Sequence, residues 1–188
     1  MAASLFSKMH ETEKQRAVRT LPKSLDVYVW TQRGLALKHQ FTPEATREAR
    51  AGLERALAID PQYGPAWWVL GWINAMDVWM GLSGEWTFAR MPEALAQIRR
   101  GIELDPSSSQ AYQALSVALG GPSTRDQALA AVQRSVELAP GEAEAWLLQS
   151  LLLLSFRPPA EALASAERAM QMYPIPPAYF HGIYSRVL

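Results

Sequence analysis

A repeated segment is the sequence feature that most limits how this chain can fold. Four stretches each run from an arginine to a proline, namely RALAIDP, RGIELDP, RSVELAP and RAMQMYP at residues 55–61, 100–106, 134–140 and 168–174. Their prolines stand 45, 34 and 34 residues apart. Because a fixed period of this length is typical of stacked repeat proteins, one small structural unit is expected to occur several times.

Three further columns of residues keep the same register. An alanine lies twelve residues before each proline, a small residue lies five before it, and an aromatic residue lies six after it. The members are Ala49, Ala94, Ala128 and Ala162; Ala56, Gly101, Ser135 and Ala169; and Trp67, Tyr112, Trp146 and Phe180. Small residues seven apart share a helical face and let a neighbouring helix approach closely. The columns therefore predict antiparallel helix pairs, each docking on the next.

Prolines indicate where these helices begin and end. A proline after the last turn ends a helix, because it lacks an N–H and disfavours helix in the residue before it. Pro43, Pro92 and Pro158 with Pro159 suit the first helical position of the second helix in three pairs. Little β signal lies between these segments. We therefore predict an all-α fold, with residues 24–188 as the repeat domain and residues 1–23 as a polar N-terminal segment or linker.

The columns resemble the tetratricopeptide repeat, a helix-turn-helix unit. The best match is AWWVLGWINA at residues 66–75, whose aromatic, leucine and glycine positions are filled by Trp67, Leu70 and Gly71. An earlier helix supplies Trp30 and Gly34 in register. Later repeats depart from the family pattern at Ser116, Gln149 and Ser150. The resemblance implies a right-handed solenoid of about four helix pairs plus a C-terminal helix over residues 177–188.

The first repeat, residues 25–67, is also similar to the repeat regions found behind class III nucleotide cyclase domains and winged-helix regulators in bacteria. This narrower resemblance implies a signalling context. The 188 residues hold no cyclase catalytic segment.

Residues 66–86 hold five of the seven tryptophans of the chain. Their spacing gives a helix with two apolar faces, one of which carries Trp67, Leu70, Gly71 and Asn74 and packs within the stack. The other carries Trp68, Trp72, Met76 and Trp79. A helix that is apolar on both sides is either sandwiched or exposes a binding stripe. Trp68 and Trp72 therefore either line an open groove or are covered by the insertion that follows them.

In the resembled family the second face lines a concave groove that receives partner peptides. Carried over by position, the resemblance implies a groove, here called the predicted groove, made of Tyr28, Thr31, Leu35, Lys38, Trp68, Trp72, Met76, Gln110, Gln113, Val117, Leu147 and Leu151. Repeats that clamp acidic chaperone tails use lysine, asparagine and arginine at five groove positions. Those positions here are Thr31, Leu35, Val69, Gln110 and Ala114, so we expect no affinity for such tails.

The second repeat is longer than the others, and its additional residues lie within VWMGLSGEWTFAR at residues 78–90. This insertion has two glycines but neither the lysine nor the spacing of a phosphate-binding loop. We predict a longer first helix followed by a loop whose Trp86 and Phe88 pack back onto the stack.

Composition argues against most other functions. Eighteen Lys and Arg balance eighteen Asp and Glu, so no net charge favours nucleic acid or an anionic membrane. The apolar runs are too short and too often interrupted to span a membrane. No cysteine is present, and His10, His39 and His181 lack metal-site spacing, so we predict solvated or capping histidines and no cofactor. With no secretory signal at residues 1–16, a cytoplasmic location is expected.

Two functions remain open. The first is a non-enzymatic module whose groove binds a peptide, a helix or a partner domain. The second is a structural element that self-associates, in which the apolar groove and the C-terminal end are buried in a homo-oligomer. The segment Ala178–Leu188 leaves Tyr179 and Leu188 with few polar neighbours, although a terminal repeat helix normally turns a polar face outward. We therefore expect weak self-association through this end, or a continuation of the chain.

Overall fold

The structure, a computed structural model, describes residues 21–156, 159–172, 181 and 184–185. In that part of the chain there are eight α-helices and two short 3₁₀ turns, Phe88–Arg90 and Pro122–Thr124, with no β-strand. The helices are α1 (Leu25–Leu37), α2 (Pro43–Ile59), α3 (Gly64–Met80), α4 (Met91–Leu104), α5 (Ser109–Ala118), α6 (Arg125–Leu138), α7 (Ala143–Phe156) and α8 (Pro159–Met172). The predicted all-α repeat fold is confirmed, whereas residues 1–20 and most of the predicted C-terminal helix lie outside the described residues.

The second helices of three pairs begin at the predicted proline or one residue before it. Helix α2 starts at Pro43, and the side chain of Thr42 accepts a hydrogen bond from the backbone N–H of Ala45 at 3.2 Å. Such a cap satisfies one of the N–H groups that the first turn leaves unpaired. Helix α8 starts at Pro159, while α4 starts one residue earlier than predicted and carries Pro92 in its first turn.

The repeated proline ends three helices with the same geometry. The residue before it leaves the helical conformation, with φ between −134° and −139° at Asp60, Asp105 and Ala139. The backbone N–H of that residue still donates to a carbonyl four residues earlier, at 2.9 to 3.0 Å, and the acceptors are Ala56, Gly101 and Ser135. These acceptors are the small residues of the repeat. One column therefore supplies both the last helical bond and the close packing face.

The small-residue columns are buried throughout the described repeats. The closest approach joins α3 to α4, where a methyl group added at Gly71 would lie 2.7 Å from the carbonyl oxygen of Ala94 and 2.6 Å from the side chain of Ile98. At Gly101 an added methyl would lie 2.9 Å from the backbone nitrogen of Trp68. The two helices thus meet at backbone distance, as the small residues predict.

The chain divides into two compact units, with the boundary between Pro106 and Ser107. In the first unit α3 packs against α2 and α4 and also touches α1. In the second unit α5 packs on α6, α6 on α7 and α7 on α8. The boundary follows the proline that ends the second repeat. The assignment of residues 24–188 to one repeat domain stays a prediction.

Candidate functional site

The two faces of α3 are not occupied as the sequence suggests. Leu70, Gly71 and Asn74 are buried as predicted, but Trp67 is only half-buried. Its indole N–H donates to the carbonyl of Pro61 at 2.8 Å, which holds the ring at the outer edge of the turn. Trp146 makes the same bond to the carbonyl of Pro140 at 2.9 Å in a later repeat. Trp67 therefore lies at the turn with part of its ring accessible, so it is less buried than Leu70, Gly71 and Asn74 of the same face.

The second face of α3 is covered within this chain. Trp68 and Trp72 are 3% and 8% exposed, whereas Met76 is half-buried and Trp79 is exposed. Covering of this face, rather than an open groove, was one of the two alternatives, and part of the cover over the Trp72 ring lies outside the insertion. That part comes from Lys38, His39 and Phe41, in the connection between α1 and α2.

These three residues and the two tryptophans form a surface that we call the lysine-capped face. The ammonium nitrogen of Lys38 lies 5.8 Å from the ring centroid of Trp68 and 5.5 Å from that of Trp72. The centroids of His39 and Phe41 lie 5.8 Å and 6.1 Å from that of Trp72. Both Lys38 distances are within the range at which an ammonium is attracted to an indole ring. A cation thus rests on two aromatic rings.

The other predicted groove residues of the first unit share the face of α1 that ends at Lys38. Tyr28 is exposed and Leu35 is half-buried. Thr31 is fully buried, and its hydroxyl donates to the carbonyl of Val27 at 2.8 Å. Thr31 is therefore part of the interior and cannot contact a partner, while Tyr28 and Leu35 retain accessible surface.

In the second unit the predicted groove residues also fall into two groups. Gln110 is exposed, and Val117 and Leu151 are half-buried. Leu147 is buried in a cluster with Ala143 and Ala169. Gln113 is buried, and its amide nitrogen has no hydrogen-bond partner within the described part of the chain. A buried amide of this kind is uncommon in a folded protein.

A buried polar network surrounds Arg50 of α2, and no motif in the sequence indicates it. In this cluster, which we call the Arg50 network, the guanidinium donates to Asn74 at 2.8 Å, to Asp77 at 2.5 Å and to Glu85 at 2.6 Å. Asp77 is fully buried and also accepts from the side chain of Ser83 and from its backbone N–H, the latter at 2.7 Å. The network therefore joins α2, α3 and the insertion.

The surroundings of Asp77 set its protonation state. Burial raises its pKa, but the hydrogen bonds from the Ser83 side chain and backbone and from Arg50, together with the charge of Arg50, outweigh burial. The net effect is a pKa below the ordinary value. Asp77 is therefore ionised at neutral pH and balances the charge of Arg50.

The insertion folds back onto the first unit as predicted, through Trp86. That ring is buried and lies near two guanidinium groups, with the central carbon of Arg90 at 3.8 Å and that of Arg50 at 5.6 Å from its centroid. Phe88 differs from the prediction, because it meets Trp79 edge to face at 5.2 Å but stays 62% exposed. Gly81 ends α3 in the left-handed conformation, with φ of 63°. The insertion is therefore held by the buried Trp86 ring as well as by the polar contacts of Ser83 and Glu85.

Other chemistry is sparse in the described residues. They contain no group of three or more His, Asp or Glu side chains that could hold a metal ion. None of their helices is both long and apolar enough to cross a membrane. His39 and His181 are both exposed. The ring of His39 also contacts Phe41 and Trp72. His10 lies outside the described residues.

Comparisons with known proteins bear on the fold. No protein-family model matches the chain, and no curated protein matches it. Among solved structures, the Thermus thermophilus protein TTC0263, a thermophilic TPR protein, superposes with a TM-score of 0.66 and 19% identity over 84% of this chain and 88% of that one. YrrB, described as a TPR protein with an unusual peptide-binding site, gives 0.55 and 20% over 97% and 86%.

An O-GlcNAc transferase mutant of Thermobaculum terrenum also superposes, with a TM-score of 0.61 and 17% identity. The match covers 82% of this chain but only 29% of the transferase. Together these likenesses show that the chain has the fold of tetratricopeptide repeat proteins.

Proposed function

We propose that this chain is a non-catalytic tetratricopeptide repeat module that binds a peptide, a helix or a partner domain. The observation that carries the proposal lies in the first unit, where residues assigned to a groove from two different repeats share one surface. Lys38 follows α1 and rests on Trp68 and Trp72 of α3. The exposed Tyr28 and the half-buried Leu35 and Met76 lie on the same helical faces as these residues. An exposed aromatic side chain such as that of Tyr28 is a typical anchor for a partner.

The similarity of the first repeat to regions behind nucleotide cyclase domains and winged-helix regulators supports a role in bacterial signalling, in the cytoplasm. YrrB shares this fold and is described as having a peptide-binding site, which supports a peptide as the ligand. The competing function is self-association, in which a second copy covers the apolar surfaces instead of a partner.

A peptide-selection experiment on the full chain tests the proposal. Peptides selected from a random display library would be synthesised, and their affinity would be measured by calorimetry for the wild type, Tyr28→Ala and Val29→Ala. These two residues are neighbours on α1 and are exposed to 46% and 50%, so they form a matched pair. Only Tyr28 belongs to the predicted groove.

We expect Tyr28→Ala to weaken binding by about 30-fold, as loss of an aromatic anchor does. Val29→Ala should leave the affinity unchanged, and both variants should keep the melting temperature of the wild type. Equal losses in the two variants, or a library from which no saturable binder emerges, would show that the groove is not a peptide site.

A further inference from the structure

The lysine-capped face differs from the other contacts between cations and aromatic rings in the described chain. The other three contacts are made by Arg50, Arg55 and Arg90, and each guanidinium lies over a single ring. Lys38 instead places an ammonium within 5.8 Å of two tryptophan rings at once. Tryptophan is the aromatic side chain that attracts a cation most strongly. Two tryptophan rings and an ammonium group are the parts of an ammonium-binding site, and here the ammonium group belongs to the same chain.

The backbone beside this site is held in an unfavourable conformation. Phe41 has a φ of 50°, and it is the sole non-glycine residue with a positive φ in the described part of the chain. The left-handed region is costly for a bulky side chain, and such strain persists only where surrounding contacts impose it. Here the Phe41 ring packs near His39 and Trp72. The connection therefore stores strain while it closes over the tryptophans.

We propose that Trp68 and Trp72, bordered by His39 and Phe41, form a binding site for a primary ammonium group, and that Lys38 is its internal occupant. A lysine side chain of a peptide partner competes with Lys38 for the two rings. This inference rests on the proposed function as far as the peptide is concerned, but the ammonium site itself is independent of it. Displacement of Lys38 would remove one of the contacts that hold the connection against α3, while the contacts of His39 and Phe41 with Trp72 remain.

The site can be tested without a partner by using n-butylammonium chloride as the probe, since it reproduces the end of a lysine side chain. The variant Lys38→Ala removes the internal occupant. The signals of the tryptophan indole N–H groups would be followed by NMR during the titration of the wild type and the variant. A tethered side chain competes at a millimolar or higher effective concentration, so we expect Lys38→Ala to bind the probe about tenfold more tightly than the wild type does.

Arg55→Ala is the matched control, because it removes a cation that lies 5.3 Å from the ring of a single tryptophan, Trp30. This variant should bind n-butylammonium no better than the wild type does. Neutral 1-butanol serves as the second control and should not shift the Trp68 and Trp72 signals saturably. If Lys38→Ala does not fold, Lys38→Gln takes its place, since it lacks the ammonium and keeps part of the stem.

Three results would overturn the inference: equal probe affinity in the wild type and the Lys38 variant, an equal response to 1-butanol, or saturable shifts in indole signals other than those of Trp68 and Trp72. The peptide part is tested separately, by replacing each lysine of a selected peptide with norleucine. Loss of binding in that peptide supports competition with Lys38, whereas unchanged binding refutes it and leaves the proposed function standing. If the library yields no peptide that binds but n-butylammonium still binds, the ammonium site is supported and only the proposed function is refuted.

Discussion

Trp67 and Trp68 are neighbours in the sequence and lie in different surroundings. Trp68 is almost fully enclosed, with its backbone against Gly101 and its ring beneath Lys38. Trp67 is half-buried and is fixed by a hydrogen bond to the carbonyl of Pro61. One position along α3 therefore separates a ring that fills the interior from a ring that fastens a turn.

The two rings should differ in what their loss costs. Trp68→Ala empties a buried site and should lower the free energy of unfolding by about 3 to 5 kcal/mol. Trp67→Ala removes one hydrogen bond and part of a contact, so we expect a loss of about 1 to 2 kcal/mol. Urea unfolding of both variants checks the order. A larger loss in Trp67→Ala would mean that the register of α3 is misplaced.

Asp77 should make stability depend on pH in the acid range. Its pKa is lowered in the folded state from an ordinary value of 3.8, so its contribution is fully present above that value and is lost as the pH falls through the lower folded pKa. Asp77→Asn leaves Arg50 without its buried counter-charge and should cost about 3 kcal/mol at pH 7.

Unfolding measured from pH 7 to pH 2 would compare this variant with the wild type. The difference between them should stay constant down to about pH 5 and shrink below about pH 4. A constant difference across the whole range would show that the charge of Asp77 does not stabilise the fold. Glu93→Gln, at an exposed salt bridge with Arg90, serves as the control and should change stability little.

At the scale of the element, the pairing of α3 with α4 depends on the absence of a side chain at Gly71. The carbonyl oxygen of Ala94 and the backbone nitrogen of Ile98 would lie only 2.7 Å and 2.8 Å from an added methyl group. Backbone atoms cannot move aside as a flexible side chain can. At Gly34 the three atoms nearest to an added methyl all belong to the Leu53 side chain, at 3.0 Å or more. The two glycines thus differ in how much their neighbours can yield.

A graded series of alanine substitutions tests this packing. We expect Gly71→Ala to cost about 3 kcal/mol, Gly34→Ala to cost less, and Gly141→Ala, with no atom within 4 Å, to be neutral or slightly stabilising. Thermal unfolding of the three variants gives the order. If Gly71→Ala were as stable as Gly141→Ala, the backbones of α3 and α4 would not be in contact at this position.

Elements could be predicted from the sequence because their signals are local and recur. The prolines and the small residues before them, such as Ala56 and Gly101, mark helix ends and packing faces in every repeat. The Arg50 network could not be predicted, because the partners of Arg50 lie 24 to 35 residues after it and do not recur at the period of the repeat. Nor does the sequence indicate that Phe41 adopts a positive φ. What covers the groove is therefore decided by single residues outside the repeat pattern.

At the scale of the whole molecule, exposed apolar side chains on the terminal helices of a repeat protein favour association between its copies. Leu25 and Val29 on α1 are exposed, as are Met80 and Phe88 around the insertion. The sequence places further apolar residues, including Tyr179 and Leu188, at the C-terminal end. Repeat proteins need polar outer faces on their terminal helices to stay apart.

We expect weak self-association through residues 178–188, or a continuation of the chain beyond them. Sedimentation velocity over a hundredfold dilution should show the average mass rising with concentration, and Tyr179→Glu should suppress that rise. Leu25→Glu places the same charge on the exposed face of the first helix and should leave the association unchanged. A mass that stays that of the monomer at every concentration would refute self-association, and suppression by Leu25→Glu alone would assign the contact to α1.

The Arg50 network also bears on the order in which the protein can be assembled during synthesis. Arg50 leaves the ribosome before any of its partners, and the last of these, Glu85, follows 35 residues later. When α2 packs against α3, Arg50 meets Asn74 and Asp77, and its third acceptor, Glu85, is added only when the insertion folds back. The contact between α2 and α3 is therefore completed by the insertion, although neighbouring repeats can ordinarily add one at a time. A single side chain thus links two repeats and a loop, which are completed in the order in which the chain is made.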